Sequence, residues 1–211
     1  MQVLLSTAYL PPIQWFARLA NRSEVYIDPW ESYHKQTYRN RCVIDSPNGP
    51  VVLTVPVEKP ENGSRLMKDM LISDHDDWRN KHWHALRSSY DNTPFFEFYE
   101  DDLEPLYRQP FRSLMEFNEA LIRKCVELIG IQCEIRHTDA FADPDDIDPG
   151  QTDDLRFLIS PKVDYTEDAA FKPVPYYQVF AQKTGFKPNL SIVDLLFNMG
   201  PESIFILKAC L

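Results

Sequence analysis

Glycine is scarce in this sequence, and so are the loop motifs that depend on it. Only six of the 211 residues are glycine. None lies in STAYLPP, between the first predicted strand and the first predicted helix, where a phosphate-binding glycine loop would belong. That stretch has no histidine either, so the histidine-containing loop of adenylyl- and cytidylyltransferases is missing. A G-x-S-x-G nucleophile motif is also absent. These absences argue against a nucleotidyltransferase and against a serine nucleophile of that type.

Positive charge, paired cysteines and long apolar runs are also lacking. Lys and Arg number 22 against 32 Asp and Glu, so the net charge is -10 and a nucleic-acid or anionic-membrane partner is not expected. No apolar run approaches the ~20 residues of a membrane span, and the N-terminus lacks the basic start of a signal peptide. A cytoplasmic protein with reduced thiols is therefore expected. The four cysteines, predicted to be small buried residues without C-x-x-C spacing, are Cys42, Cys125, Cys133 and Cys210.

The composition and the hydrophobic pattern predict a mixed α/β fold. With 44% hydrophobic residues, the chain can bury a substantial core, and we expect one domain over residues 1–211. Its sheet-rich part is expected at 1–73 and its helix-rich part at 74–211. The strands Gln2–Thr7 and Glu24–Asp28 flank a short predicted helix, and this βαβ arrangement predicts that the two strands are parallel.

After this βαβ unit the pattern predicts antiparallel strands that continue a mixed sheet. Tyr38–Asp45 and Pro50–Val57 flank Asn48-Gly49, a strong hairpin signal because both residues tolerate positive φ. Leu66–Ser73 is predicted as a further strand.

The second half is predicted to be mostly helical. Asp74 can cap a helix that carries Trp78 and Tyr90. Ser113 and Glu116 form a capping-box pattern that opens another helix, with Gly130 as its end. The remaining segments are an exposed loop at Asp139–Asp154, a proline-rich surface stretch at 161–189, and helices at Ser191–Asn198 and Glu202–Lys208.

Metal binding is tempting in HDDWRNKHWH but does not fit helix geometry. His82 and His84 are about 200° apart around a helix, and His75 lies about 10 Å from His82 along it. The aspartate-rich stretch Asp139–Asp154 lacks the spacing and the closing Glu of an EF-hand. No metal and no cofactor are therefore predicted. His82 itself lies on the apolar stripe of its helix, and it is either a half-buried core residue or the acid or base of a pocket.

The segment YHKQTYRNRCV, residues 33–43, is cationic within an acidic chain. If Tyr38–Asp45 is a strand, Arg39 and Arg41 point to one face, and with Lys35 they could hold a phosphate or carboxylate. Gln36 and Asn40 could then bind a polar ligand such as a sugar. The alternative is a solvated basic strand that pairs with acidic neighbours.

An ordered set of segments resembles the WbqC-like protein family, and its Bacteroidetes-type branch in particular. The match runs over nearly the whole chain, although none of its pieces is a catalytic motif. The segments are LLSTAYLPPIQWFARL, VYID, KQTYRNRCVI, GPVVLTVPVEKP, KDMLISDHDDWRNKHWHALRSSYDNTPFFEFY and PNLSIVDLLFNMG.

The resemblance implies a role in making surface polysaccharides of the O-antigen type, without assigning a reaction. Many members carry a His-Gln-Pro-Asn-like segment after the first strand, where this chain has Leu5, Ser6, Thr7 and Ala8. If that segment carries chemistry in the family, the activity of this chain is expected to differ or to be lost. The family elements that this chain keeps are Lys35, Asn40 and Arg41, the strand Leu53–Val57, and Trp78, Lys81 and His82.

Two functions follow as expectations. The first is a group transferase or amide-forming ligase that acts on an activated small molecule or a nucleotide-linked sugar, with His82 as the proton shuttle. The second is a catalytically silent binding or scaffold protein of a polysaccharide-assembly complex, suggested by the aromatic run TPFFEFYEDDLEPLY. The expected ligand of the enzyme is an anionic small molecule. Its predicted binding residues are Lys35, Gln36, Arg39, Asn40, Arg41 and Thr54, with Tyr9 and Gln14 from the first matching segment.

Overall fold

The computed structural model describes residues 1–211 and has a four-stranded parallel sheet at its centre. The helix α1 (Ile13–Ala20) connects the first two strands, which pair in parallel, so the predicted βαβ opening and the mixed α/β class are confirmed. The order of the strands is β7, β2, β1, β8. Their bounds are β1 Gln2–Leu5, β2 Glu24–Ile27, β7 Glu134–His137 and β8 Thr152–Asp154.

Two of these strands come from the half of the chain that was expected to be helical. The expected loop Asp139–Asp154 ends in β8, so the loop prediction is wrong for its last three residues. β8 consists of Thr152, Asp153 and Asp154 and has no apolar residue that could mark a strand. Its position is fixed instead by the backbone, because Gln2 N donates to Gln151 O (2.8 Å) and Leu155 N donates to Leu4 O (2.9 Å).

The predicted hairpin exists, but it forms its own two-stranded ribbon and does not extend the parallel sheet. β3 (Arg41–Ile44) pairs antiparallel with β4 (Val51–Thr54). Residues 38–40 form a turn, so the predicted strand start at Tyr38 is wrong. The physical reason is that Asn40 bonds to Val55 through both its side-chain amide and its carbonyl, each at 2.8 Å.

A second small ribbon joins β5 (Val57–Glu58) to β6 (Leu71–Ile72). The strand predicted over Leu66–Ser73 is therefore mostly absent, since Met67–Asp69 forms a 3-10 turn.

The helix ends show which capping predictions hold. Ser113 Oγ accepts from Glu116 N (3.3 Å) and Gly130 is left-handed, so the N-cap at Ser113 and the helix end are confirmed. The Glu116 side chain makes no return bond to Ser113 N, so only this half of the capping box forms. The cap predicted at Asp74 is wrong, because a 3-10 turn at His75–Asp77 precedes the helix. The remaining helices are α2 Trp78–Tyr90, α3 Phe96–Arg108, α4 Leu114–Ile129, α5 Ala181–Thr184, α6 Ile192–Met199 and α7 Ser203–Ala209.

One hydrophobic core of 45 buried residues takes members from both halves of the chain. The proline-rich stretch 161–189 is anchored to this core, since Tyr176 and Gln178 are buried and bond to the fully buried Asp194 of α6. None of the helices combines the length and the apolar character that a membrane crossing requires.

Gly200 is required by the junction between α6 and α7. Its φ is +54°, and an added Cβ would lie 2.5 Å from the Phe95 ring. We expect Gly200→Ala to lower the free energy of unfolding by about 2–4 kcal/mol, from overpacking together with backbone strain. Urea unfolding measures this. The control is Gly130→Ala, where φ is +76° and ψ is 29° in the ordinary left-handed region and the Cβ meets open space, and for which only about 1 kcal/mol is expected. Equal losses in the two variants would contradict the steric argument.

Candidate functional site

The structure turns Arg39 into the protein interior. Its side chain is 4% exposed and forms an ion pair with the buried Glu31, with Arg39 Nε donating to Glu31 Oε1 at 2.9 Å. Ser6 Oγ donates to the same carboxylate (3.0 Å) and accepts from Arg39 Nη2 (2.7 Å). Because residues 38–40 form a turn, the strand alternation expected to pair Arg39 with Arg41 does not apply. Arg39 therefore has its counter-ion, Glu31, within the protein.

Tyr9 and His82 meet in a buried aromatic cluster. His82 Nδ1 lies 2.9 Å from Tyr9 Oη, which lies 2.7 Å from Tyr107 Oη. Burial lowers the pKa of His82 to about 4, and a hydrogen bond with the backbone of Thr54 opposes this only in part. At neutral pH the ring is therefore uncharged, and its neighbours are the core rings of Tyr9 and Trp78.

The protonation of His82 can be measured directly. We expect its ring resonances in a ¹⁵N-detected NMR titration to change near pH 4 and to stay constant from pH 6 to 8, because the charged ring would be desolvated. The signal is assigned by its loss in His82→Gln. A transition near pH 6.5 would show that the ring reaches water, which would restore it as a candidate for proton transfer.

Gln14 and Asn40 also bond inside the protein. Gln14 Nε2 donates to Asp168 Oδ2 (2.8 Å) and its Oε1 accepts from Asn189 Nδ2 (3.2 Å). Asn40 is 4% exposed and bonds to Val55. In these positions both amides tie distant segments together.

The other predicted binding residues remain near the surface. Lys35, Gln36 and Thr54 are exposed, and Arg41 is half-buried opposite Thr54 across the hairpin. Arg41 Nε is buried and has no hydrogen-bond partner. The charge of Arg41 also acts on the hydroxyl of Tyr33, whose pKa is nevertheless raised because burial is the larger effect. Of the two arginines in the basic segment, Arg41 is thus the one still available for an anion.

The carboxyl edge of the parallel sheet is where ligands bind in open α/β folds. The strand order reverses between β1 and β8. The cavity at this point is nearly closed, with a volume of about 10 Å³, and its lining includes Ser6, Thr7, Arg39 and Leu155. It has room for about one water molecule.

A larger open cleft of about 420 Å³ lies further along the same edge, beyond the ends of β2 and β7. Pro29 and Trp30 follow β2, and Thr138 and Asp139 follow β7. The start of α4 forms the opposite wall. The polar and aromatic side chains of this cleft are Trp30, Lys68, Ser113, Glu116, Glu119, His137, Thr138 and Asp139.

The cleft holds a histidine–carboxylate pair. His137 Nε2 lies 3.5 Å from Glu119 Oε2, while Glu119 Oε1 accepts from Arg123 at 2.8 and 2.6 Å. The two side chains are 38% and 24% exposed, so the pair is open to a ligand. Trp30 Nε1 donates to Thr138 O (3.1 Å), and the Lys68 ammonium lies 4.7 Å from the Trp30 ring centroid. This arrangement can orient an imidazole beside an aromatic surface.

Buried charges fix the two loops of the cleft. Asp28 is fully buried and accepts from Trp30 N (2.9 Å), Thr138 Oγ1 (3.0 Å) and Ala142 N (3.3 Å). Arg156 Nη1 donates to Asp28 (2.5 Å), and its Nη2 donates to Ala142 O (2.7 Å). The loops after β2 and β7 are therefore held by one ion pair.

Sequence reasoning missed His137 and Glu119. Glu119 lies within a predicted helix, and His137-Thr138-Asp139 stands at the start of the expected loop, which begins at Asp139. The available signal was a polar triplet at a strand end, but its meaning depends on knowing that β7 is parallel to β2. No group of three or more His, Cys, Asp or Glu side chains is placed to hold a metal ion.

The fold and the cleft define an open parallel α/β protein with its candidate site at the carboxyl edge of the sheet. The WbqC-like protein family model matches residues 7–158 and 159–206, and the chain belongs to this family. It is also similar to an uncharacterised protein of Mycobacterium tuberculosis. The two are 26% identical in an alignment 229 residues long, gaps included, which covers 98% of this chain and 97% of the relative. No solved structure matches the chain.

Proposed function

We propose that this protein is a surface-polysaccharide enzyme, a group transferase or amide-forming ligase that acts on an activated small molecule or a nucleotide-linked sugar. The observation that carries the proposal is the His137–Glu119 pair in an open cleft at the carboxyl edge of the sheet. Histidine beside a carboxylate is the commonest arrangement for moving a proton at neutral pH. The family resemblance supports the polysaccharide role.

In this proposal His137 activates the acceptor. With Nε2–H turned toward Glu119 Oε2, 3.5 Å away, Nδ1 carries the free lone pair. Nδ1 takes the proton of an acceptor hydroxyl or amine as its oxygen or nitrogen bonds to the transferred group. The bond to the leaving group breaks, and the anionic leaving group departs with the electron pair. Trp30 offers an aromatic surface for the sugar ring of the acceptor.

Charge separates the acceptor from the anionic donor. The cleft has three carboxylates, Glu116, Glu119 and Asp139, against Lys68 alone, so it favours a neutral or amino acceptor. The donor's anionic part then binds outside the cleft, where Arg41 and Lys35 are available. The segment that follows β2 connects the acceptor cleft with the neighbourhood of Arg41. Trp30 lines the cleft, Tyr33 feels the charge of Arg41, and the two residues are at most about 10 Å apart along the chain.

The proposal is tested by a transfer assay with mass-spectrometric detection. The purified protein is incubated with nucleotide-sugars, acyl-CoAs or aminoacyl donors and with hydroxyl or amino sugars as acceptors. We expect His137→Gln to lower kcat by about 10²–10⁴-fold with the donor KM unchanged, because only the proton acceptor is lost.

The matched control is His84→Gln, an exposed histidine on α2, which should leave kcat unchanged. Glu119→Gln should lower kcat by less than His137→Gln, since it removes only the group that orients the ring. A product formed equally well by His137→Gln would exclude the assigned role.

A specific observation favours the scaffold alternative. In the aromatic run, Phe96 is fully buried, but Phe98 is 72% exposed, and Phe205 of α7 is 70% exposed. Exposed aromatic residues of this kind suit a protein interface. Light scattering or cross-linking that shows only monomers, with and without lysate, would count against this function.

A further inference from the structure

Two large aromatic side chains are exposed at the carboxyl edge of the sheet. Phe141 lies on the loop after β7, and Phe157 lies just after β8; each is 48% exposed. Both lie on loops that follow the carboxyl ends of parallel strands, close to the point where the strand order reverses. Nucleotides bind in this position in open α/β folds.

Arg156 fixes both rings. Its side chain is fully buried, and its guanidinium carbon lies 5.6 Å from the Phe141 ring centroid and 5.7 Å from that of Phe157. Arg156 is itself held by Asp28 and Asp154. The rings therefore cover a rigid buried cation on one side, and their exposed surface is available to a planar ligand. Such a surface needs little ordering when a base stacks on it.

A histidine lies beside Phe157, and a lysine reaches the segment that carries this histidine. The exposed His34 meets the Phe157 ring edge-on, with centroids 6.0 Å apart. Lys162 Nζ donates to the backbone carbonyl of Lys35 (3.4 Å), so its ammonium group lies beside the segment that carries His34 and Lys35. Burial, and then the charges of Arg39 and Lys162, lower the pKa of His34.

We propose that Phe141 and Phe157, with Lys35 and Lys162, bind a nucleoside diphosphate. The base stacks on the exposed aromatic surface, that of Phe157 above all, and the phosphates bind the ammonium groups of the two lysines. This inference rests on the proposed function, in which it supplies the site for the nucleotide part of the donor. It places the nucleotide part of the donor beside the loop 138–142, whose first residues line the acceptor cleft.

The test is isothermal titration of the full chain with the four common nucleoside diphosphates, with the matching nucleosides, and with inorganic diphosphate. We expect a nucleoside diphosphate to bind more tightly than either of its parts. Phe157→Leu should raise Kd by about 5- to 100-fold through lost stacking, and Lys162→Gln should raise it by about 10-fold. Phe157→Trp should restore or improve the affinity, which separates stacking from a general effect on folding.

The matched controls are Phe205→Leu and Lys208→Gln on α7, which are exposed residues of the same types and should leave Kd unchanged. The inference is overturned if no nucleoside diphosphate binds at millimolar concentration. It is also overturned if inorganic diphosphate binds as tightly as the nucleotide and Phe157→Leu has no effect. Transfer from a nucleotide donor that is insensitive to Phe157→Leu would leave the proposed function standing without this site. Nucleotide binding that depends on Phe157 without any transfer would support this site and contradict the enzyme.

Discussion

Replacing Arg156 by methionine is expected to lower the free energy of unfolding by about 3–5 kcal/mol, because it leaves two carboxylates without their counter-ion in the interior. Arg156 is fully buried, as is Asp28, and Asp154 is 15% exposed. Arg156 makes bonds of 2.5 Å to Asp28 and 2.7 Å to Asp154. Methionine fills much of the same volume, so the loss reports the unpaired charges and not a cavity.

Urea unfolding followed by circular dichroism measures this loss. The matched control is Arg108→Gln, which breaks an exposed i,i+4 pair with Glu104 and should cost only about 0.5 kcal/mol. Losses of similar size in the two variants would contradict the importance of burial.

The same substitution should loosen the candidate cleft before the protein unfolds. The amides of Trp30 and Ala142 both donate to Asp28, which Arg156 neutralises. Native-state hydrogen exchange at these two amides is expected to become faster in Arg156→Met than at the amides of α4. Unchanged exchange at Trp30 and Ala142 would show that the loops are held by other contacts.

Asp194 is expected to make stability fall as pH rises from 4 to 7. Burial raises the pKa of this fully buried carboxyl from 3.8 to about 6, although hydrogen bonds from Tyr176 and Tyr90 partly oppose the shift. Between these values the folded protein keeps a proton that the unfolded chain loses, so stability decreases with pH. At one pKa unit per 1.36 kcal/mol, the full effect above pH 6 is about 3 kcal/mol.

The measurement compares wild type with Asp194→Asn by urea unfolding at pH 4, 5.5 and 7. Asparagine keeps the shape but does not titrate. The wild-type free energy of unfolding, minus that of the variant, should fall by about 2 kcal/mol from pH 4 to pH 7. Titrating groups that do not interact with Asp194 cancel in this difference. A constant difference would mean that Asp194 does not carry the raised pKa.

Local features of the fold were predictable from the sequence. Pro11-Pro12 before α1, the hairpin turn at Asn48-Gly49 and the N-cap Ser113 act through neighbours in sequence, and each lies where it was expected, although only Gly49 of the turn has a positive φ. The family could also be inferred, because an ordered set of segments extends over nearly the whole chain. The cationic segment 33–43 was visible as a charge pattern, which requires no knowledge of the fold.

Tertiary structure decided how the charged and polar residues are used. Arg39 was predicted from the sequence to bind a ligand, and in the fold it pairs with Glu31. Arg156 has no distinguishing pattern in the sequence, and in the fold it lies between Asp28 and Asp154. β8 has no hydrophobic signature and exists because β1 offers it a backbone to pair with. His137 and Glu119 are 18 positions apart and meet because β7 is parallel to β2 beside α4. Composition and short motifs thus determined the class, the family and the two ends of α4. The site depended on contacts between residues far apart in sequence, because burial and charge pairing are set by the packed fold and leave no local pattern.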